Sequence, residues 1–186
     1  MKRIDWNQLD AAGRKAALAR PQRRTEGFVS SVVREIFDDV RARGGEAVTD
    51  WATRLDGAAP RRIEVTEAAA TKARRDLPPA AARALRVAAD NVRVFHQATK
   101  PQDTAFIETT PGVRSKLVWR PIGSAGLYVP GGTAPLFSSL LMLAVPAAVA
   151  GVERRVAVTP PSKDGSVHPA MIAAAAEAGL EELWLL

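Results

Sequence analysis

Apolar positions recur along this chain with two different habits: every third or fourth residue in the first two thirds, and short unbroken runs in the last third. From Phe28, the residues Val32, Val33, Ile36 and Val40 fall on one helical face, and Gly44-Gly45 after Arg41 and Arg43 supply a stop. A second helix is predicted from Glu46 through Val48, Trp51 and Leu55 to the turn Asp56-Gly57. A third, polar one opens at Thr66-Glu67 and stops before Leu77-Pro78-Pro79. Beyond the prolines, Ala81, Leu85, Ala88, Ala89, Val92 and Phe95 share a face, so a long helix is expected to reach about residues 96–98. The stretch Phe106 to Trp119, with Ile107, Val113, Leu117 and Val118 around Thr110-Pro111-Gly112, reads as short strands or a hairpin that Arg120-Pro121 ends.

The last third alternates strand and helix: Gly126 to Val129, Pro135 to about Ala150, Arg155 to Thr159, His168 to Ala178, and Glu182 to Leu186. Continuous apolar strands separated by helices describe a parallel sheet, expected to be buried on both faces, with right-handed crossovers. The predicted class is therefore α/β, a helical N-terminal region followed by an incomplete Rossmann-like βαβαβ parallel-sheet domain. The expected divisions are an arm over 1–22, a mainly helical region with a short strand pair over 23–121, and the first half of a nucleotide-binding domain over 122–186. Ligand crevices of open parallel sheets lie beyond the carboxyl ends of the strands, and the last strand here ends with the chain. The expectation is an N-terminal portion of a longer enzyme.

Composition narrows the classes. The chain has 186 residues, 47% hydrophobic and 25% charged, with 13 Gly and 13 Pro, the profile of an ordinary globular protein rather than a disordered or fibrous one. With no Cys there is no disulfide, no thiolate metal site and no cysteine nucleophile. The start Met1-Lys2-Arg3-Ile4-Asp5-Trp6 lacks the apolar stretch of an export signal, and the run Leu136 to Val152 is broken by Ser138, Ser139 and Pro146, too short for a membrane span and read as a buried core helix. The net charge of +6 invites nucleic acid, yet it is scattered: residues 1–121 hold 23 Lys/Arg against 15 Asp/Glu, and residues 122–186 hold 3 against 5. Ten aromatic residues with no stacking series argue against base recognition, so neither nucleic acid nor membrane is expected as a partner.

The richest candidate for chemistry is the strand-turn-helix segment Gly126 to Ser139. Gly131 and Gly132 are able to take positive φ and admit a ligand close to the backbone, Thr133 suits an N-cap, and Pro135 suits the first turn. Free N–H groups at such a helix start favour an anion such as phosphate. Tyr128, the only tyrosine, sits at the strand's carboxyl end, where ring or hydroxyl would meet a nucleotide or simply pack. The turn is neither a Walker loop nor GxGxxG. His96 and His168, 72 positions apart, form no metal-ligand spacing and read as surface or capping residues. Ser138 and Ser139 lack a nucleophile-elbow context, Asp38-Asp39 reads as a solvated helix face, and Arg114 and Lys116 as edge-strand charges.

The segment Gly126 to Ser139, with Leu140-Leu141-Met142-Leu143-Ala144 and Pro146-Ala147, resembles the histidinol dehydrogenase family. Ile4-Asp5-Trp6, Val40 to Ala47, Phe95-His96 and Pro111-Gly112-Val113-Arg114 resemble it in order and spacing, so the similarity spans essentially the whole chain. The resemblance implies a cytoplasmic, zinc-dependent homodimer that oxidises L-histidinol to L-histidine with NAD, through the aldehyde, as the last step of histidine synthesis. It implies that Tyr128 contacts NAD, with Gly131 and Gly132 shaping the adjacent loop. It also implies that the family's zinc ligands, acid/base pair and substrate contacts lie downstream of Leu186, so that no catalytic or metal residue is expected in this chain. A paralogous zinc- and NAD-dependent alcohol dehydrogenase, or an inactive binding or interaction fragment, are the alternatives.

Overall fold

A computed structural model gives the fold over residues 4–19, 27–131, 134–162 and 164–186, the side chains of residues 27–30 excepted. The chain divides into two compact units, residues 1–44 and 45–186. In the first, Asp5 caps a single 3-10 turn at Trp6–Gln8, and Asp10 caps α1 (Ala11–Leu18) by accepting the Gly13 N–H at 2.7 Å. Helix α2 (Gly27–Arg43) pairs Arg41 with Asp38 and Arg43 with Asp39; Asp38 is exposed, as a solvated face requires, while Asp39 is half-buried.

The second unit opens with α3 (Gly45–Asp56) and a short strand β1 (Arg61–Glu64). Helix α4 (Glu67–Arg75) is capped by the Thr66 hydroxyl, and α5 (Pro79–Thr99) starts with proline in its first turn. A ribbon of β2 (Ile107–Thr110) and β3 (Val113–Ser115) follows, then β4 (Ser124–Tyr128), α6 (Phe137–Ala150), β5 (Arg154–Thr159), α7 (Pro169–Glu177) and β6 (Glu182–Leu185). The predicted strand-helix alternation is therefore present. Strands β4, β5 and β6 are parallel neighbours, with Leu127 opposite Ala157 and Ala157 opposite Leu183. Beyond the sequence reading, β1 joins β6 antiparallel, giving the order β1-β6-β5-β4, with Ile63 opposite Leu183 and Arg62 paired with Glu182.

The two crossovers step the same way across the sheet, so right-handedness places α6 and α7 on one face. Ala125, Leu127, Ala157 and Leu183 point into that face and join Leu140, Leu141, Ala144, Ala173 and Ala174 in the core, with Leu85 and Ala89 of α5 in the layer above. The alanine stripe of α7 lets α4 and α5 pack closely over it. Both helix ends are closed by glycine in the left-handed region: Gly151 (φ 92) donates to Ala147 and Ala148, and Gly179 (φ 67) to Ala176. The Arg155 guanidinium completes the end of α7 by donating to the Ala178 and Gly179 carbonyls.

Two expectations are corrected. The sheet is not covered on both faces: Ser124, Gly126 and Tyr128 are exposed on the second face, and Val156, Val158 and Trp184 are only half-buried there. Helix α6 is likewise buried along one side only, through Leu140, Leu141, Ala144 and Val145, while Met142 remains 56% exposed. The helices that pack on the sheet lie on one side of it, so a uniformly apolar sequence is wetted on its other side.

The β2–β3 ribbon is held at its base by Asp103 and Thr104. Asp103 Oδ1 accepts the Trp119 N–H at 2.8 Å, and Lys116 and Arg120 stand 3.5 and 3.6 Å from its other oxygen. The Trp119 amide, with these two cations, holds the Asp103 carboxyl below its ordinary value of 3.8. A depressed carboxyl contributes order that is complete above its unfolded value and is lost as pH falls through the lower folded one. The Trp119 amide resonance is therefore expected to move in a transition below about pH 3.8. Asp103→Asn should abolish that transition, and an identical transition in the variant would count against this latch.

Candidate functional site

The loops after β4 and β5 meet above the carboxyl ends of these two parallel strands. A Cβ on Gly131 would lie 2.6 Å from Pro160 Cγ, so only glycine permits this approach. Gly131 does not use the positive φ open to a glycine; its need for glycine comes from the neighbouring loop and not from its own backbone. Gly132 and Thr133 lie outside the described residues. The residue at the cap position of α6 is Leu136, which offers no side-chain acceptor, and the helix starts at Phe137 rather than Pro135.

Between the loops lies a cleft of about 230 Å³, lined by Gly131, Pro160, Ser162, Ser166, His168 and Thr159 among others. Its volume suits one group of a ligand rather than a whole dinucleotide. Thr159 is only 6% exposed and is the one buried polar or charged residue among the described residues. Its carbonyl accepts the Leu186 N–H at 3.0 Å, and its hydroxyl has no hydrogen-bond partner among the described residues. His168 is the N-cap of α7: its Nδ1 accepts the Ala170 N–H at 3.1 Å. Asp164 is turned into its own loop, where the hydroxyl and amide of Ser166 hold its carboxyl below the ordinary range. No carboxylate lines the cleft among the described residues.

Tyr128 does not enter this cleft. It ends β4 on the uncovered sheet face, 62% exposed and opposite Val158, which in turn lies opposite Trp184. Two residues, Val129 and Pro130, separate it from Gly131, a span of at most about 10 Å over three extended steps. His96 stands edge-on to Phe95 at 5.4 Å between ring centroids, Ser138 and Ser139 occupy the first turn of α6, and Arg114 and Lys116 lie over the Phe106 ring. None of these residues lines the cleft. Thr159, Pro160, Ser162 and Ser166 were not singled out by the sequence reading, although their place just past β5 is where open α/β sheets hold ligands. Among the described residues, no three His, Cys, Asp or Glu come together as a metal-ligand group, and no helix is long and apolar enough to cross a membrane.

The family model for histidinol dehydrogenase matches residues 18–186. The chain belongs to the histidinol dehydrogenase family. It is 41% identical over all of its 186 residues to a histidinol dehydrogenase of Xanthomonas oryzae, of which it covers 43%. It is 47% identical over 154 residues to that of Deinococcus radiodurans, covering 34% of it. The crystal structure of histidinol dehydrogenase from Elizabethkingia anophelis superposes with a TM-score of 0.83 at 31% identity, over 95% of this chain and 40% of that one. The chain thus spans less than half the length of the histidinol dehydrogenases it matches.

Proposed function

We propose that this chain supplies the nucleotide-binding part of a cytoplasmic, NAD-dependent oxidation of L-histidinol to L-histidine through the aldehyde. The observation that carries the reading is the cleft at the carboxyl ends of β4 and β5, in a chain whose family is named for that dehydrogenation. Bound NAD supplies the hydride acceptor. This chain's own residues bind and orient it: Tyr128 offers an exposed ring at the crest of β4, and the Gly131–Pro160 contact fixes the two loops that border the cleft. The described residues offer zinc no ligand set. The reading includes a homodimer, supported by exposed Phe106, Ile107 and Trp119 on the ribbon and Met142 on α6.

Calorimetric titration of NAD tests the assignment. Tyr128→Ala should weaken NAD binding about tenfold, the worth of one aromatic contact, while the melting temperature stays unchanged because the side chain is exposed. Unchanged NAD affinity with a lowered melting temperature would make Tyr128 a packing residue. No NAD binding by the unaltered chain would overturn the nucleotide reading.

A further inference from the structure

The polar residues that line the cleft are not the one the family resemblance names. Resting on the NAD reading above, we propose that His168 and Thr159 hold the diphosphate of the dinucleotide. Capping decides the imidazole's chemistry. Because Nδ1 accepts the Ala170 N–H, the ring proton of neutral His168 sits on Nε2, which has no partner among the described residues and serves as a donor in the cleft. The Thr159 hydroxyl is the second donor: more than nine-tenths of the residue is buried, and nothing described satisfies the hydroxyl. Among the described residues the fully buried side-chain atom without a partner is Arg155 Nε and not Thr159 Oγ1, so the Thr159 hydroxyl opens to the cleft, where a ligand oxygen is able to accept from it. The amino end of α6 borders the same cleft through Leu136, without a side-chain cap on its first N–H groups. Among the described residues, His168 and Thr159 offer donors to one space of about 230 Å³ that no carboxylate lines, and the amino end of α6 borders it at Leu136, an arrangement that suits a compact oxyanion.

The N-cap role allows a clean test, since substitutions exist that separate capping from donation. His168→Asp keeps an acceptor for the Ala170 N–H and suits the helix dipole, but removes the donor and adds a negative charge. His168→Asn keeps both the acceptor and an N–H donor. Inorganic pyrophosphate is titrated calorimetrically into the full chain, alone and with NAD as competitor, and each variant is melted. The expected result is pyrophosphate binding that NAD displaces and that His168→Asp weakens about 10- to 100-fold at an unchanged or raised melting temperature. His168→Asn should stay near the original affinity, and Thr159→Val should lose about tenfold. No pyrophosphate binding, or equal affinity in His168→Asp, would overturn the proposal, as would Asn failing as badly as Asp. Pyrophosphate binding that NAD does not displace would overturn the dinucleotide reading and leave an anion site for free diphosphate. NAD binding without pyrophosphate binding would do the reverse.

Discussion

Leu183→Ala is expected to destabilise the second unit by about 4–5 kcal/mol, the upper end of what such a truncation costs in a protein core. Leu183 is completely buried at the middle of β6, flanked by Ile63 on the antiparallel edge and Ala157 on the parallel side. The cost of removing a core leucine is lost apolar burial plus the cavity left behind, and the second term depends on how far neighbours move in. Here the neighbours are unusually short. Ala157, Ala170, Ala173 and Ala174 belong to the same core and have no side-chain length with which to refill the space. The strand is also fixed by pairing on both sides, so the backbone does not collapse inward. Against a typical domain stability of about 5–15 kcal/mol, this one substitution removes a large fraction. Urea unfolding followed by circular dichroism measures it. A loss under about 1 kcal/mol would mean that the alanine-rich layer relaxes freely and is not close-packed.

The alternation of strands and helices in the last third, and the five helices upstream of it that carry periodic patterns or caps, differ in how far local sequence specified them. Helices α4 and α5 were legible because their starts are chemical: Thr66 as a hydroxyl cap and Pro79 in a first turn. Strand β1 was not legible. Arg61-Arg62-Ile63-Glu64 has one apolar residue and no strand propensity to speak of, and it is a strand only because β6 lies alongside, 120 residues later at the Arg62–Glu182 pair. Helix α1 was missed for a different reason, since Ala11–Leu18 has little apolar periodicity and starts from the Asp10 cap alone. The site divides similarly. His168 before Pro169 was readable as a capping residue from spacing, and the structure makes it one. That its second nitrogen serves a cleft with Thr159 depends on two loops meeting, which no local pattern encodes.

Gly131 and Gly126 have opposite expected responses to the same substitution, and the difference isolates what the loop contact contributes. Both lie in the segment Gly126 to Ser139, and neither has positive φ, so alanine is conformationally permitted at each. At Gly126 an added Cβ meets nothing within 4 Å on the exposed sheet face. Gly126→Ala is therefore expected to be neutral or to stabilise by up to about 1 kcal/mol, by restricting the unfolded chain. At Gly131 the Cβ would stand 2.6 Å from Pro160 Cγ. A proline ring has no flexible end to swing aside, so relief requires the two loops to part, and Gly131→Ala is expected to cost about 1–3 kcal/mol. The displacement is also functional: Pro160 adjoins Thr159 and both line the cleft, so parting the loops moves the Thr159 hydroxyl away from His168. Urea unfolding and pyrophosphate titration on both variants measure the two effects together. Loss of stability and of anion binding in Gly131→Ala alone would tie the cleft to this contact. Equal behaviour of the two variants would mean that the loops separate at little cost and that Gly131 does not shape the site.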